Sequence, residues 1–569
     1  MISLSIFLGF FGQTVYARTT PVSNSLLGKV ICGYQGWFNC FGDGSPVNGW
    51  RHWSAGSLNS ANKFPEAGNV TFEIYPDLSE YQPECLYQTG LGRLGSGLPA
   101  NLFSSNKSKV IDLHFLWMQQ NGIDGVALQR FLGEIKNARY REQRDSVTVN
   151  VMRSAEKFGR IFYLMYDMSS NDTIFFQNDV LHIEKDLKVF GSPSYVHQDG
   201  KPVICLWGFG FTHRLNAPSA SLAIINWLKA KSYYVIGGVP TNWRSGTVDS
   251  YNNYLKVYLA FDMISPWSVG RFKNNSEADR FREKYLIPDH KYCKTNRIAY
   301  QPVVFSGFAW SNWNGGKPNQ VARNKGNFLW RQVYNIKSAG ISNMYVAMFD
   351  EYDEGTAIAK MADSYFAIPT NQYFLTSSAD GTYVSSDFYL RLVGKATQTI
   401  KGEIPLAAKH SVSLQDAPIW FRTSFEPKLD AQPTISPTTN SGVKIGLSNE
   451  NAASGKWSLK ASGTTSGFST AIFDVDIQAS ENTILTYQIY PESQSEQDTY
   501  ISLETTDGKR LNFRKTSGEW KMNEWNAVEL NVGNQFMGKT ISKIIIASDK
   551  NSQSGKISCY FDDISIYNK

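Results

Sequence analysis

The chain has 569 residues, a formal net charge of +6 and 42% hydrophobic residues. This length exceeds what one hydrophobic core supports, so we expect two or more domains. The charge is spread thinly, without a block of lysine and arginine, which argues against nucleic acid as a partner. Aromatic residues reach 14%, and aromatic faces both pack cores and lie against the C–H faces of sugar rings.

The first 17 residues form a short apolar run that ends in Val15-Tyr16-Ala17. Small or aliphatic residues at −3 and −1 are typical of a signal-peptidase site. We therefore predict a signal peptide over 1–17 and a secreted, periplasmic or cell-surface protein; a buried first strand is the alternative. No later segment approaches 18 apolar residues, so we expect no transmembrane segment.

The six cysteines are too few for a disulfide scaffold, and their spacings match no zinc pattern. A bridge between Cys32 and Cys40 is one possibility, but we favour free, buried thiols. Seven histidines without HExxH spacing give no basis for a catalytic transition metal. We expect a monomer that needs no cofactor for catalysis.

Short apolar runs alternate with segments of helical periodicity between residues 28 and 365. Nine runs are candidate strands: 30–38, 70–77, 124–131, 160–169, 201–211, 233–244, 261–272, 299–313 and 341–356. This alternation predicts a parallel sheet, and the number of runs predicts an α/β fold of the (β/α)8 TIM-barrel type. A barrel has eight strands, so we assign 70–77 to an excursion in the first loop. A Rossmann-type sheet is the alternative, but no GxGxxG follows an early strand.

The sequence pattern changes after the last of these runs. Segment 366–405 predicts a β-excursion and a closing helix that packs on the barrel. Beyond residue 410 the helical period disappears, and short alternating strands are broken by Gly, Asn, Ser and Asp. This pattern predicts an all-β jelly-roll sandwich. We place the barrel domain at 18–409 and the sandwich at 410–569.

Polar and tryptophan residues follow the apolar runs, at the strand ends that form the active face of such barrels. Trp207, Trp243 and Arg271 are of this kind. His52 lies between Trp50 and Trp53 in the first long loop, where we favour a ligand-facing histidine over a packed core histidine. We predict a substrate-binding cleft formed by Gln35, Trp37, His52, Trp53, Asp77, Gln129, Arg130, Asp167, Asn242, Trp267, Trp310, Trp313 and Asp350.

Four carboxylates lie within five residues directly after the last run: Asp350, Glu351, Asp353 and Glu354. A solvated acidic loop is the alternative interpretation. Crowded carboxylates repel one another, which raises the pKa of some of them, as a general acid requires. Cleavage of a glycosidic bond uses one proton donor and one base or nucleophile. We therefore predict that this loop is catalytic.

The barrel part resembles glycoside hydrolase family 99 and its neighbour family 71, in particular a bacterial branch described as xylosidase/arabinosidase-like. The resemblance rests on ExxEGT at 351–356, GYQGWF at 33–38, WRHW at 50–53 and VVFSGFAWSNWN at 303–314. It implies a hydrolase similar to the endo-α-mannosidases, with Glu351 as the base that assists the sugar 2-hydroxyl and Glu354 as the general acid. Tyr352-Asp353 stands where those mannosidases have Trp-His, and family 71 acts on α-1,3-glucan, so the sugar stays open.

The C-terminal part resembles carbohydrate-binding modules of the galactose-binding-like jelly roll. The resemblance rests on SFEP at 424–427, ASGKWSLKASG at 453–463, NTILTYQIYP at 482–491 and YFDDISIY at 560–567. It implies carbohydrate binding and a structural calcium held by Glu426 and Asp563, since hard oxygen ligands suit Ca²⁺.

The predicted function is thus a glycoside hydrolase that acts on a polysaccharide or glycan. A non-catalytic carbohydrate-binding surface protein on the same fold is the main alternative, and the presence of both glutamates favours the enzyme. A lyase or transferase on the same barrel is a third possibility, because fold alone does not decide the reaction.

Overall fold

The computed structural model describes residues 22–56, 63–170, 172–214, 217–416, 419–435, 442–492, 499–511, 520–549 and 555–569. The predicted signal peptide lies outside these residues. No helix within them is long and apolar enough to cross a membrane. All six cysteines are buried and free, as the sequence analysis favoured.

The N-terminal domain alternates strands with helices along the described chain. In order, its elements are β1 (Val30–Tyr34), β2 (Leu86–Gln88), β3 (Asn101–Phe103), α1 (Ser108–Gln120), β4 (Gly125–Phe131), α2 (Ala138–Phe158), β5 (Ile161–Asp167), α3 (Thr173–Lys185), β6 (His197–Gln198), β7 (Lys201–Trp207), α4 (Pro218–Ala230), β8 (Tyr234–Val239), α5 (Leu255–Tyr258), β9 (Met263–Pro266), α6 (Asn275–Phe281), α7 (Ile287–Thr295), β10 (Ala299–Tyr300), β11 (Val303–Phe305), α8 (Ser311–Asn314), α9 (Asn327–Ser338), β12 (Met344–Ala347) and α10 (Phe388–Lys401).

The parallel strands form a closed ring. Strands β1, β4, β5, β7, β8 and β9 pair in that order, β9 pairs with β10, and β11 pairs with β12, which returns to β1. Only Gln301 and Pro302 separate β10 from β11. Both continue the ladder, because Gln301 N donates to Ile264 O (2.9 Å) and Pro302 O accepts from Tyr345 N (3.0 Å). The two short strands therefore occupy one position, and the ring has eight.

Local sequence sets the ends of the helices that cover this ring. Helix α2 begins after Asn137, whose side chain accepts a hydrogen bond from Arg139 N, and it ends at Gly159 with a φ of 60°. An asparagine cap satisfies a free N–H at the helix start, and a left-handed residue at the end favours glycine. Helix α10, with most of its side chains buried, packs on the barrel core as the predicted closing helix.

The C-terminal domain is an antiparallel sandwich. Its elements are β13 (Ile419–Thr423), β14 (Val443–Ser448), β15 (Ser458–Thr465), β16 (Phe468–Gln478), β17 (Thr483–Pro491), β18 (Thr499–Thr505), β19 (Asn526–Asn531), α11 (Gly533–Phe536), β20 (Thr540–Ser548) and β21 (Gly555–Asn568). One sheet has the order β14-β15-β21-β17-β19, with β13 also paired to β21, and the other has the order β16-β20-β18. The jelly-roll connectivity stays a prediction.

Residues before the predicted boundary at 409/410 contact residues that follow it. Tyr383 lies within the hydrophobic core of the sandwich, and its hydroxyl contacts Asp363 Oδ2 (2.8 Å) and Ile419 O (2.9 Å). The buried Asp430 accepts a hydrogen bond from Tyr365 N (2.8 Å). The segment between β12 and α10 is therefore packed against both domains.

Candidate active site

The loop that follows β12 is tied to the end of β1 by Asp350. Its side chain is fully buried, and its two carboxylate oxygens accept hydrogen bonds from Gln35 N (2.7 Å) and Gly36 N (2.9 Å). Burial raises the pKa of Asp350 to about 6, and the two amide bonds oppose that rise. Because both oxygens are occupied by backbone amides, Asp350 anchors the loop and does not contact substrate, which corrects its predicted role.

Glu351, which is buried, and Glu354, which is partly exposed, are the two glutamates of this loop. Gln35 Nε2 donates to Glu351 Oε2 (3.0 Å). Burial, followed by the charge of Glu354, raises the pKa of Glu351 well above its usual value. Burial raises the pKa of Glu354 to about 7. Since two close carboxylates in low dielectric resist double ionisation, the pair retains a proton near neutrality, as an acid/base pair needs.

Glu354 opens onto a cleft of about 440 Å³. Aromatic side chains make up much of its wall: Trp207, Phe211, Trp267, Phe308 and Trp310. The rings of Trp207 and Trp267 meet at 76° with centroids 5.5 Å apart. His213, Arg271, Lys273 and Gln320 add polar groups. Aromatic faces next to polar groups and a protonatable carboxyl suit a sugar ring.

Arg323 holds the backbone that follows Glu354. Its buried guanidinium donates from Nη2 to Gly355 O (2.9 Å) and Ala357 O (2.7 Å) and lies 4.4 Å from the ring centroid of Tyr389. The Glu354 carbonyl itself accepts from Ala309 N (3.0 Å). These bonds fix the Glu354 loop to the strand end that carries Trp310.

Glu73 supports the same region from the first long loop. It is fully buried and accepts hydrogen bonds from Ser311 Oγ (2.8 Å) and Asn312 N (3.1 Å). Burial raises the pKa of Glu73, and these hydrogen bonds oppose that rise. Neither Glu73 nor Arg323 was predicted as a functional residue, because each acts through backbone that is distant in sequence.

His52 belongs to a stacked cluster next to the carboxylates. Its ring stacks on Trp37 with centroids 3.8 Å apart and an interplanar angle of 6°, and its Nδ1 lies 2.9 Å from Asp353 Oδ2. Burial lowers the pKa of His52 well below its usual value, so the ring is neutral near pH 7. Burial and the charge of Glu351 raise the pKa of Asp353. His52 and Trp37 therefore brace the carboxylate loop from one side.

Several predicted residues do gather at this face. Trp267 and Trp310 line the cleft, and Gln35 binds Glu351. Gln129 points into the barrel, where its Nε2 donates to Tyr345 Oη (3.1 Å). The ring of Tyr345 is 6.5 Å from that of Trp267, so Gln129 lies beneath the cleft.

Two predicted contacts are corrected by their burial. Trp53 is fully buried, stacks on Phe38 with centroids 3.9 Å apart and donates from Nε1 to Phe103 O (2.9 Å), so it packs the core. Arg130 forms buried ion pairs with Asp179 (2.6 Å) and Asp145 (2.8 Å). Neighbouring side chains of a strand point to opposite faces, so Arg130 faces the helices while Gln129 faces the barrel interior.

Four further predicted residues lie outside the described lining of the cleft. Asp167 forms a two-point ion pair with Arg214 (2.8 and 3.0 Å). Asn242 binds Asp249 through its side chain (2.9 Å). Asp77 accepts a hydrogen bond from Ser79 N (3.0 Å) within its own turn. Trp313 is 51% exposed and touches the outer edge of Trp310.

The cleft also contains residues that the sequence indicated less directly. Trp207 and Arg271, which the sequence placed near strand ends, line the cleft. Trp243, placed near a strand end in the same way, is fully buried. Phe211, His213, Lys273, Phe308 and Gln320 were not predicted. Phe211 and Phe308 were detectable, because both lie in the C-terminal parts of apolar runs that predict strands. His213 and Lys273 lie in loops without a local signal.

The predicted calcium ligands accept hydrogen bonds from the neighbouring segment 454–457. Glu426 Oε1 accepts hydrogen bonds from Lys456 N and Trp457 N, and Asp563 accepts one from Ser454 Oγ. Among the described residues no group of three or more His, Cys, Asp or Glu side chains is arranged to hold a metal ion. The calcium site stays a prediction.

Comparisons with known proteins give similarities of structure only. No protein-family model matches the chain, and no curated protein matches it. The GH99 endo-α-mannosidase from Bacteroides thetaiotaomicron is similar over 66% of this chain and 99% of its own, with a TM-score of 0.48 and 15% identity. A CBM22 xylan-binding domain from Paenibacillus barcinonensis is similar over 27% of this chain and 96% of its own, with a TM-score of 0.20 and 17% identity. Both TM-scores lie below 0.5, so the chemistry of the site rests on its own residues.

Proposed function

We propose that the chain is a glycoside hydrolase that cleaves glycosidic bonds in a polysaccharide or glycan. The observation that carries this proposal is the juxtaposition of Glu354, whose pKa is raised to about 7 by desolvation, with an aromatic cleft and with the buried Glu351. A solvated acidic loop has neither the burial nor the cleft.

In the proposed reaction Glu354 is the general acid. Its proton passes to the glycosidic oxygen as the bond from that oxygen to the anomeric carbon breaks. Glu351 is the base and draws the proton from the sugar 2-hydroxyl, whose oxygen bonds to the anomeric carbon as the leaving group departs. Water then adds to the anomeric carbon and gives a proton to Glu354, while the bond to the 2-oxygen breaks and that oxygen regains its proton from Glu351. General acid–base catalysis of this kind contributes roughly 10²–10⁴-fold to the rate.

An endo-α-mannosidase-like specificity is the finer proposal, supported by the ExxEGT sequence. The Tyr352-Asp353 pair differs from the mannosidase pattern. Tyr352 is fully buried and Asp353 binds His52; neither lines the described cleft. We infer that this difference acts on specificity through packing and not through direct sugar contacts.

Three further proposals concern the rest of the chain. The sandwich binds carbohydrate and holds substrate near the barrel. The protein is secreted, periplasmic or on the cell surface. A structural calcium, if bound through Glu426 and Asp563, raises the melting temperature of the chain on addition of CaCl₂, and an unchanged melting temperature removes that prediction.

A digest of a glycan panel with product analysis tests the main proposal. The panel contains α-mannans, α-glucans, xylans and arabinans, and the enzymes are the wild type and the Glu351→Gln and Glu354→Gln variants. We expect the wild type to release oligosaccharides or sugars from at least one glycan and both variants to lose most of that activity. Binding without products from any glycan supports the non-catalytic alternative.

A further inference from the structure

The cleft beside Glu354 carries an excess of positive charge. Arg271 and Lys273 both line it, whereas burial and the neighbouring arginines lower the pKa of His213, so that this ring adds no charge near neutrality. Among the described residues of the lining, Glu354 is the only carboxylate. Burial raises the pKa of Glu354 to about 7, so this carboxyl is only partly ionised in neutral solution.

The nearby arginines already have anionic partners. Arg271 Nη2 lies 2.9 Å from Asp249 Oδ2, with 40% of the side chain exposed. Arg214, whose guanidinium is 5.0 Å from the ring centroid of Trp207, pairs with Asp167. These two pairs are close to neutral as units, although Arg271 keeps part of its surface open to the cleft.

Lys273 is the cation that remains. Within the described part of the chain no carboxylate oxygen lies within 4 Å of its Nζ. Its neighbour Glu277 instead accepts a hydrogen bond from the Lys273 backbone N (2.7 Å). The ammonium group is thus available to bind an anionic group of a ligand at the edge of the aromatic wall.

We infer that the sugar bound beside Glu354 carries an anionic substituent, a uronate carboxylate, a sulfate or a phosphate ester, received by Lys273 and Arg271. This inference rests on the proposed function and names its substrate class. A neutral sugar is held by aromatic faces and by hydrogen bonds to its hydroxyls, whereas an anionic substituent adds the attraction of an opposite charge to the hydrogen bond from the lysine. Bonds between a charged donor and a charged acceptor are about twice as strong as neutral ones.

Binding measurements on matched oligosaccharides test this charge preference. The three pairs are xylan oligosaccharides with and without glucuronate, mannan oligosaccharides with and without phosphate, and galactan oligosaccharides with and without sulfate. Calorimetry with the Glu354→Gln variant reports binding without turnover, and the three pairs distinguish the three sources of the anion. The same panel is digested with the wild type.

We expect at least one charged oligosaccharide to bind about ten-fold more tightly than its neutral partner. Lys273→Gln, made in the same background, reduces that preference about 3- to 10-fold, as does 0.5 M NaCl, because salt screens exposed charges. Lys294→Gln, an exposed lysine at the end of α7, leaves the preference unchanged. Equal or tighter binding of the neutral members, no binding of any charged member, or a full preference in Lys273→Gln overturns the inference.

The two proposals fail separately in this design. Cleavage of a neutral oligosaccharide with no preference for its charged partner leaves the hydrolase standing and removes the anionic substrate. Tight, lysine-dependent binding of a charged member, with no cleavage of any oligosaccharide or glycan by the wild type, removes the hydrolase and leaves the anion site.

Discussion

At the scale of single residues, the two glutamates have environments that separate their roles. Glu354 opens onto the cleft, whereas Glu351 is 8% exposed and is held by Gln35. The general acid must reach the glycosidic oxygen of the bound sugar, and the position of Glu354 at the cleft allows this. Glu351 lies deeper, where the proposed base contacts the sugar 2-hydroxyl.

Replacing each glutamate by glutamine should therefore give different substrate profiles. Glu354→Gln should lower kcat on unactivated glycosides about 10²–10⁴-fold and affect activated aryl glycosides much less, because good leaving groups need little protonation. Glu351→Gln should be equally damaging with both. Near-native turnover by both variants, on a substrate that the wild type cleaves, would remove the catalytic assignment.

The same environments predict a pH–rate profile that declines on both the acid and the alkaline side. Glu354 acts in its protonated form, so activity falls as pH rises through the pKa of about 7. Glu351 acts in its ionised form, and because burial raises its pKa, activity is lost on the acid side well above pH 4.5. A pH–rate profile of kcat/KM checks this. In Glu354→Gln the alkaline decline should disappear, and a decline that persists there belongs to another group.

Four tryptophans predicted for the cleft provide an internal comparison. Trp267→Ala and Trp310→Ala should weaken ligand binding several-fold, because a stacked aromatic face contributes on the order of 1 kcal/mol. Trp53→Ala should cost roughly 3–5 kcal/mol of unfolding free energy, as for a buried aromatic residue. Trp313→Ala should change both properties little. Thermal melts and ligand titrations on the four variants measure both effects, and a binding defect confined to Trp53→Ala would reverse the assignment.

At the scale of elements, the order of strands was predictable from the sequence, whereas contacts between distant loops were not. Eight of the nine apolar runs correspond to the eight strand positions, because buried parallel strands are continuous apolar runs. Run 70–77 has only isolated bridges and is the predicted excursion. Gln129 and Arg130 were predicted together although period-2 alternation sends them to opposite faces. Glu73 and Arg323 were not predictable, since their partners are set by loop packing.

Asp350 joins two of these elements, and its replacement tests that role. In Asp350→Asn the new amide NH₂ faces the N–H of Gln35 or Gly36, so one backbone donor loses its acceptor. An unsatisfied buried donor costs about 1–3 kcal/mol, and we expect a lower melting temperature together with lower activity. Asp77→Asn is the matched control, because Asp77 accepts one bond from Ser79 within a partly exposed turn. Equal stability of the two variants would show that Asp350 is not an anchor.

At the scale of the whole molecule, the two domains are coupled through the segment between β12 and α10. Besides Tyr383 in the sandwich core, Thr376 Oγ1 donates to Leu429 O (2.7 Å) and Gln432 N donates to Gly381 O (3.1 Å). The same segment contains the loop of Glu351 and Glu354. Loss of the sandwich is therefore expected to reach the catalytic loop through packing.

A chain truncated after residue 410 should be less stable than the full chain, although the barrel strands are complete. Its Tyr383 loses the sandwich core around it, and losing the burial of one large aromatic residue costs roughly 3–5 kcal/mol. Tyr383→Phe in the full chain is the matched control: it keeps the ring buried and removes only the hydroxyl contacts, for about 1 kcal/mol. Chemical denaturation of the three proteins measures the difference. A truncated barrel that unfolds at the same denaturant concentration as the barrel of the full chain would show that the domains are energetically independent, and the 409/410 boundary would then separate two autonomous units.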